Sequence, residues 1–147
     1  MRFSRAPSQA RSQKGEQMDL RSTKTDRAPA PVGPYSQAII AGDFVFCAGQ
    51  IALDAQSGQL VGGDDVRAQT RRVLDNLAAV LVSAESSLDR VTKTTVFLAD
   101  LADFQAMNEV YGERFGSHRP ARSTIGVGAL PRGAKVEIEC IAVRRNA

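Results

Sequence analysis

Apolar positions along the chain switch between two periods, and the switches mark the elements. Val66, Thr70, Val73, Leu74, Leu77, Leu81 and Ala84 recur at the three-and-four spacing of an amphipathic helix. Asp64 and Asp65 stand at its start, where a side-chain oxygen can accept from free backbone N–H groups, and Ser86-Ser87 marks its end. A second helix is predicted after Asp100 or Asp103, with Phe104, Met107, Tyr111 and Phe115 as its buried face. Asn108 follows Phe104 by four and precedes Tyr111 by three, so it borders that face. The remaining apolar runs read as strands. Ser36–Ala41 and Phe44–Ala48 flank Gly42-Asp43, a dipeptide suited to a tight hairpin. Val91–Leu98 is rich in β-branched residues, and Arg122–Val127 and Val136–Val143 follow, separated by a turn at Leu130–Ala134.

The order β-β-α-β-α-β-β predicts an α+β domain with one sheet and two helices on one face. Two helices cover only one face, yet the strands read as apolar on both. Oligomerisation through the open sheet face is the expected consequence. In the last run, Val136, Ile138, Cys140 and Ala142 line one side, while Glu139, Ile141 and Val143 line the other. A carboxylate in the middle of such a strand is costly unless it is paired or kept protonated, so Glu139 needs a partner or a task. Arg122, in Pro120-Ala121-Arg122-Ser123, is its natural partner. Residue types leave two readings open: an anion anchor beside an acid/base, or a structural salt bridge. Glu137 reads as a solvent- or interface-facing charge.

The net charge of +3 belongs to the first residues: Arg2, Arg5, Arg11 and Lys14 against Glu16. From Met18 onward there are fifteen basic and fifteen acidic residues, which weakens a nucleic-acid reading because phosphate binding needs accumulated basic surface. Residues 1–27 lack apolar periodicity and are expected to be a disordered tail, with the folded domain spanning 28–147. That tail reads as an inert extension or as the result of an upstream start, with Met18 as the true first residue; a targeting peptide is the third alternative. No apolar run is long enough for a membrane span, and a soluble, cytoplasmic protein is expected. Cys47 and Cys140 lie inside apolar runs and read as buried thiols. His118, the only histidine, sits in a Gly/Ser/Pro loop and is expected to be exposed; one histidine makes neither a metal site nor a Ser-His-Asp triad.

Seven short motifs in register carry a resemblance: Gly33-Pro34-Tyr35-Ser36-Gln37, Ala48-Gly49-Gln50-Ile51, Leu74-Asp75-Asn76-Leu77, Lys93-Thr94-Thr95-Val96-Phe97-Leu98, Asp103-Phe104 through Asn108 and Tyr111, Pro120-Ala121-Arg122-Ser123, and the Val136–Val143 run. Together they resemble the RidA/YjgF/YER057c family over about Ala28 to Arg145. The resemblance implies a chorismate-mutase-like fold whose final strand lies centrally in the sheet, and a homotrimer with pockets at the subunit interfaces. It implies hydrolysis of reactive 2-imino or 2-enamino acids to 2-oxo acids and ammonia, with no cofactor and no metal. Arg122 matches the arginine that grips the substrate carboxylate, and Gly49 the glycine whose backbone N–H helps it. Glu139 is matched to the carboxylate that positions or activates water, and Tyr35 and Asn108 to pocket positions. Ala48 and Thr124 stand at two further pocket positions, where several imine deaminases have serine and cysteine. A guanidinium suits the task because its planar fork meets a carboxylate with two parallel hydrogen bonds. Two other functions compete: an RNA-directed endoribonuclease or translation inhibitor, and a non-catalytic binder of small 2-oxo acids. The neutral folded part and the lack of tryptophan speak against the first.

Overall fold

The computed structural model describes residue 15 and residues 17–145. Six strands form one mixed sheet: β1 (Leu20–Thr23), β2 (Ala38–Ala41), β3 (Phe44–Gln50), β4 (Val91–Leu98), β5 (Ala121–Gly126) and β6 (Val136–Val143). Helices α1 (Val66–Ser83) and α2 (Phe104–Phe115) separate them. The order across the sheet is β1-β2-β3-β6-β4-β5, so the last strand is central, antiparallel to both β3 and β4, while β5 runs parallel to β4 at one edge.

Val45, Val96, Leu98, Val136, Ile138 and Ala142 point to one face and are fully buried against Val73, Leu74, Leu77, Leu81 and Met107 of the two helices. Burying each larger side chain of this set contributes about 1.5–3 kcal/mol relative to exposure. The helix stripe predicted from Val66 to Ala84 is buried at every position. Asp65 caps α1, its carboxylate accepting from the N–H groups of Arg67 and Ala68. Ahead of α2, Asp100 caps a short 3₁₀ turn that leads into the helix, and Asp103 makes no side-chain cap. Phe104 departs from its predicted burial: it is 39% exposed, and Val110 takes its place in the core. His118 is half-buried, with Nε2 2.6 Å from the carbonyl of Val91.

Strand β1 lies inside the segment expected to be disordered, which corrects the boundary of that tail. Leu20, Arg21 and Ser22 are exposed and only Thr23 is half-buried, so no periodicity announces it; pairing with β2 from Leu20↔Ala41 to Thr23↔Ala38 holds it in place. Gln37, 1% exposed, fastens the chain that follows. Its Oε1 accepts from the Thr25 N–H at 2.8 Å, and its Nε2 donates to the carbonyls of Thr25 and Pro29 at 3.1 and 2.9 Å. The expected tail segment 1–14 lies outside the described residues.

On the other sheet face, Phe44, Phe46 and Ile125 are exposed, with half-buried Ile39, Ile141 and Val143 among them. No helix among the described residues is long and apolar enough to cross a membrane.

Candidate functional site

Register decides which predicted site residues can meet. Thr94 stands opposite both Arg122 and Cys140, on the face that carries the helices. Thr95 stands opposite both Ser123 and Glu139, on the open face. Residues opposed in a ladder share a face. Arg122 and Glu139 of one chain therefore point to opposite sides of the sheet, and neither takes part in an ion pair among the described residues. Within one chain, then, they form neither a catalytic pair nor a salt bridge. Glu139 is also exposed rather than sequestered, in a shallow depression with Phe46, Lys93 and Thr95.

Arg122 belongs to a cluster built by α2. The spacing of Phe104, Asn108 and Tyr111 puts all three on one helical face, and each touches the guanidinium. Arg122 Nη1 donates to Asn108 Oδ1 at 2.7 Å. The guanidinium carbon lies 4.8 Å from the centroid of the Tyr111 ring and 5.6 Å from that of Phe104. The Tyr111 hydroxyl is 2.7 Å from that of Thr94, and burial pushes the phenol's pKa up. An open cleft of about 420 Å³, lined by Asn108, Tyr111, Arg119 and Arg122 among others, lies alongside. Thr124, two residues on and on the same face as Arg122, has a buried hydroxyl without a hydrogen-bond partner among the described residues.

The second cluster forms at a bulge. Between Cys47↔Cys140 and Gln50↔Ile138, β3 has two residues, Ala48 and Gly49, where β6 has only Glu139. Glu137 reaches this place from β6. A Cβ built on Gly49 would stand 2.5 Å from Glu137 Oε1 and 3.0 Å from its Cδ, so glycine is what lets the carboxylate approach. Tyr35, Ala48, Gly49 and Glu137 line a cleft of about 390 Å³ whose other walls include Val32, Ile51, Leu53 and Arg132. Burial raises the pKa of Glu137, and the nearby negative charge of Glu139 raises it further.

Buried polar residues of α1 shape this cleft. Asn76 Nδ2 donates to the carbonyls of Ile51 and Leu53 at 3.2 and 3.0 Å, fixing the chain just after the bulge. Gln69 Oε1 accepts from the N–H of Lys135, close to the turn that carries Pro131 and Arg132. These positions explain why polar residues occupy the buried stripe of a helix.

The structure thus brings Arg122 together with Asn108, and Tyr35 together with Ala48 and Gly49. It joins neither group to Glu139. Glu137, expected only as a solvent- or interface-facing charge, lines the same cleft as Gly49; a charge two positions from Glu139 on the same strand face is distinguished only by what the neighbouring strand places beside it. Sequence reasoning assigned no role to the Arg122 contacts of Phe104 and Tyr111, although the spacing of Phe104, Asn108 and Tyr111 contains that signal.

The family model described as Endoribonuclease L-PSP matches residues 25–144. A RutC family protein of Pyrococcus horikoshii is 52% identical over 120 residues, covering 82% of this chain and 94% of its own. The human 2-iminobutanoate/2-iminopropanoate deaminase is 42% identical over 124 residues, covering 84% and 90%. Among solved structures, RidA from the Antarctic bacterium Psychrobacter superposes with a TM-score of 0.80 at 40% identity, covering 84% of this chain and 98% of that one.

Proposed function

Because the chain belongs to the RidA/YjgF/YER057c family, we propose that it hydrolyses 2-imino and 2-enamino acids, including 2-aminoacrylate, 2-iminobutanoate and 2-iminopropanoate, to 2-oxo acids and ammonia. The reaction takes place between copies of the chain in a homotrimer. One observation carries this reading: a chain holds an anion-binding cluster around Arg122 and a carboxylate cleft around Glu137, with the two side chains on opposite sheet faces. Each supplies what the other lacks, and a second copy seated on the open apolar face supplies the missing half.

Arg122 binds the substrate carboxylate with two parallel hydrogen bonds, steadied by Asn108 and assisted by the Gly49 N–H of the neighbouring copy. The protonated imine carbon is already electrophilic. Glu137, in place of Glu139, takes a proton from water as the water oxygen bonds to that carbon, and the C=N bond becomes a C–N single bond. That proton returns to nitrogen; Glu137 then takes the proton of the new hydroxyl as the C–N bond breaks, the C=O bond forms and ammonia leaves. An enamine first takes a proton from solvent at C3 to become the protonated imine. A raised pKa suits Glu137 to this transfer, since it makes the carboxylate a better base towards water.

A coupled assay tests the proposal. An amino-acid dehydratase generates the imine in situ, and 2-oxo acid formation is followed with wild type, Arg122→Ala and Glu137→Gln. Acceleration by wild type and its loss in both variants are expected; equal rates in all three contradict the reading.

A further inference from the structure

Arg122 lies on an edge strand, half-buried, with a long side chain that has many rotamers. Such a group makes a poor receptor unless its surroundings restrict it before the ligand arrives. The groups described around its guanidinium are neutral: the Asn108 carboxamide oxygen and the faces of two aromatic rings. No carboxylate among the described residues pairs with it, so its charge is kept for an external anion. Asn108 takes up one N–H of the planar fork, and others stay available to a carboxylate.

Of the two rings, that of Tyr111 is the anchored one. It is 6% exposed, packs 4.5 Å from the Phe115 ring, and its hydroxyl is held by Thr94. Thr94 is fully buried and stands directly opposite Arg122 in the β4–β5 ladder. The aromatic platform is thereby tied to the strand next to the arginine it supports, and strand register sets the position of both. Phe104 adds a second, more exposed face.

We infer that Tyr111, locked by Thr94 and aided by Phe104, is a positioning residue that holds the Arg122 guanidinium ready for a substrate carboxylate. The inference rests on the deaminase reading for the identity of that carboxylate and goes beyond it in naming what orders the anchor. Tyr111 acts through Arg122 and need not touch the substrate. Loss of the platform therefore weakens ground-state and transition-state binding together, which raises KM and leaves kcat much less affected.

The experiment uses the full chain. KM and kcat are measured in the dehydratase-coupled assay, and the affinity for 2-oxobutanoate is measured by titration calorimetry, for wild type, Tyr111→Leu, Tyr111→Phe, Phe104→Leu and Arg122→Ala. Tyr111→Leu is expected to raise both KM and the 2-oxobutanoate Kd about tenfold, the size of a partly desolvated cation–π contact, with kcat changed less than about threefold. Tyr111→Phe retains the ring and is expected to restore affinity to within about threefold of wild type. Phe104→Leu, at an exposed position that does not endanger the fold, is expected to weaken binding about threefold and carries the test if Tyr111→Leu fails to fold. Wild-type affinity in Tyr111→Leu and Phe104→Leu, with binding lost only in Arg122→Ala, overturns the inference; so does failure of wild type to bind 2-oxobutanoate. Binding that follows the predicted order in a protein without turnover supports the platform and removes the deaminase reading, so the two fail separately.

Discussion

The carboxylate of Glu137 fills the space that a side chain on Gly49 would need, since a Cβ at position 49 would lie 2.5 Å from Glu137 Oε1. The bulge of β3 and the central place of β6 create this contact, and Asn76 fixes the chain beyond it. Gly49→Ala should displace the carboxylate and lower kcat/KM about 10²-fold, the cost of misplacing a reacting group by about 1 Å. Steady-state kinetics with in-situ imine check this, and an unimpaired Gly49→Ala protein would show that the contact has no part in the chemistry.

The two glutamates of β6 should behave differently. Glu137→Gln removes the proton acceptor and should lower kcat by about 10²–10⁴-fold. Glu139→Gln removes only a neighbouring charge that helps raise the Glu137 pKa, so its main effect is on pH dependence. The acid limb of the kcat/KM profile should move to lower pH in Glu139→Gln, because Glu137 then ionises more readily. An unmoved limb, or a larger loss of rate from Glu139→Gln than from Glu137→Gln, would return the role to Glu139.

Stability carries the same sign. The folded-state pKa of Glu137 lies above its ordinary value of 4.5, so folding favours the protonated form. Its contribution is fully present below the ordinary pKa and is lost as pH rises through the raised one. Glu137→Gln should therefore melt at a higher temperature than wild type near neutral pH, with the gap closing as pH falls through the raised pKa towards the ordinary value. Melting curves across that range check the sign, and a gap that widens in acid contradicts it.

Gln37 offers a test of the N-terminal segment. Replacing it with leucine leaves the backbone groups of Thr25 and Pro29 without their side-chain partner and should cost about 1–3 kcal/mol. Hydrogen exchange should quicken from Leu20 to Ala28 before it does in β6. Uniform protection in the variant would mean that β1 is held by its strand pairing alone.

Most of the fold was legible because its core elements are periodic. The α1 stripe, β4 and β6 emerge where periodicity places them, since burial on one face forces the alternation. Strand β1 was not legible: backbone pairing holds it, and three of its four residues stay exposed. The site was half legible. Arg122, Asn108, Gly49 and Tyr35 all stand in the motifs, but that Arg122 meets Asn108, and that Gly49 and Tyr35 line one cleft, is seen only in the structure. The choice between Glu137 and Glu139 depends on a one-residue bulge in the facing strand, and adding one residue to one strand changes every later pairing without leaving a mark in composition. That Arg122 and Glu139 face apart depends on the parallel pairing of β4 with β5 and the antiparallel pairing of β4 with β6, long-range relations that no local pattern encodes.

The central claim is that an active site takes Arg122 from one copy of the chain and Glu137 from another, and mixing tests it directly. Arg122→Ala and Glu137→Gln proteins, each inactive alone, are unfolded together in equal amounts, refolded and assayed. Random assembly should restore roughly a quarter of the wild-type sites, because some interfaces then join an intact Arg122 to an intact Glu137. A mixture that forms mixed oligomers yet stays as inactive as its components would contradict a shared site.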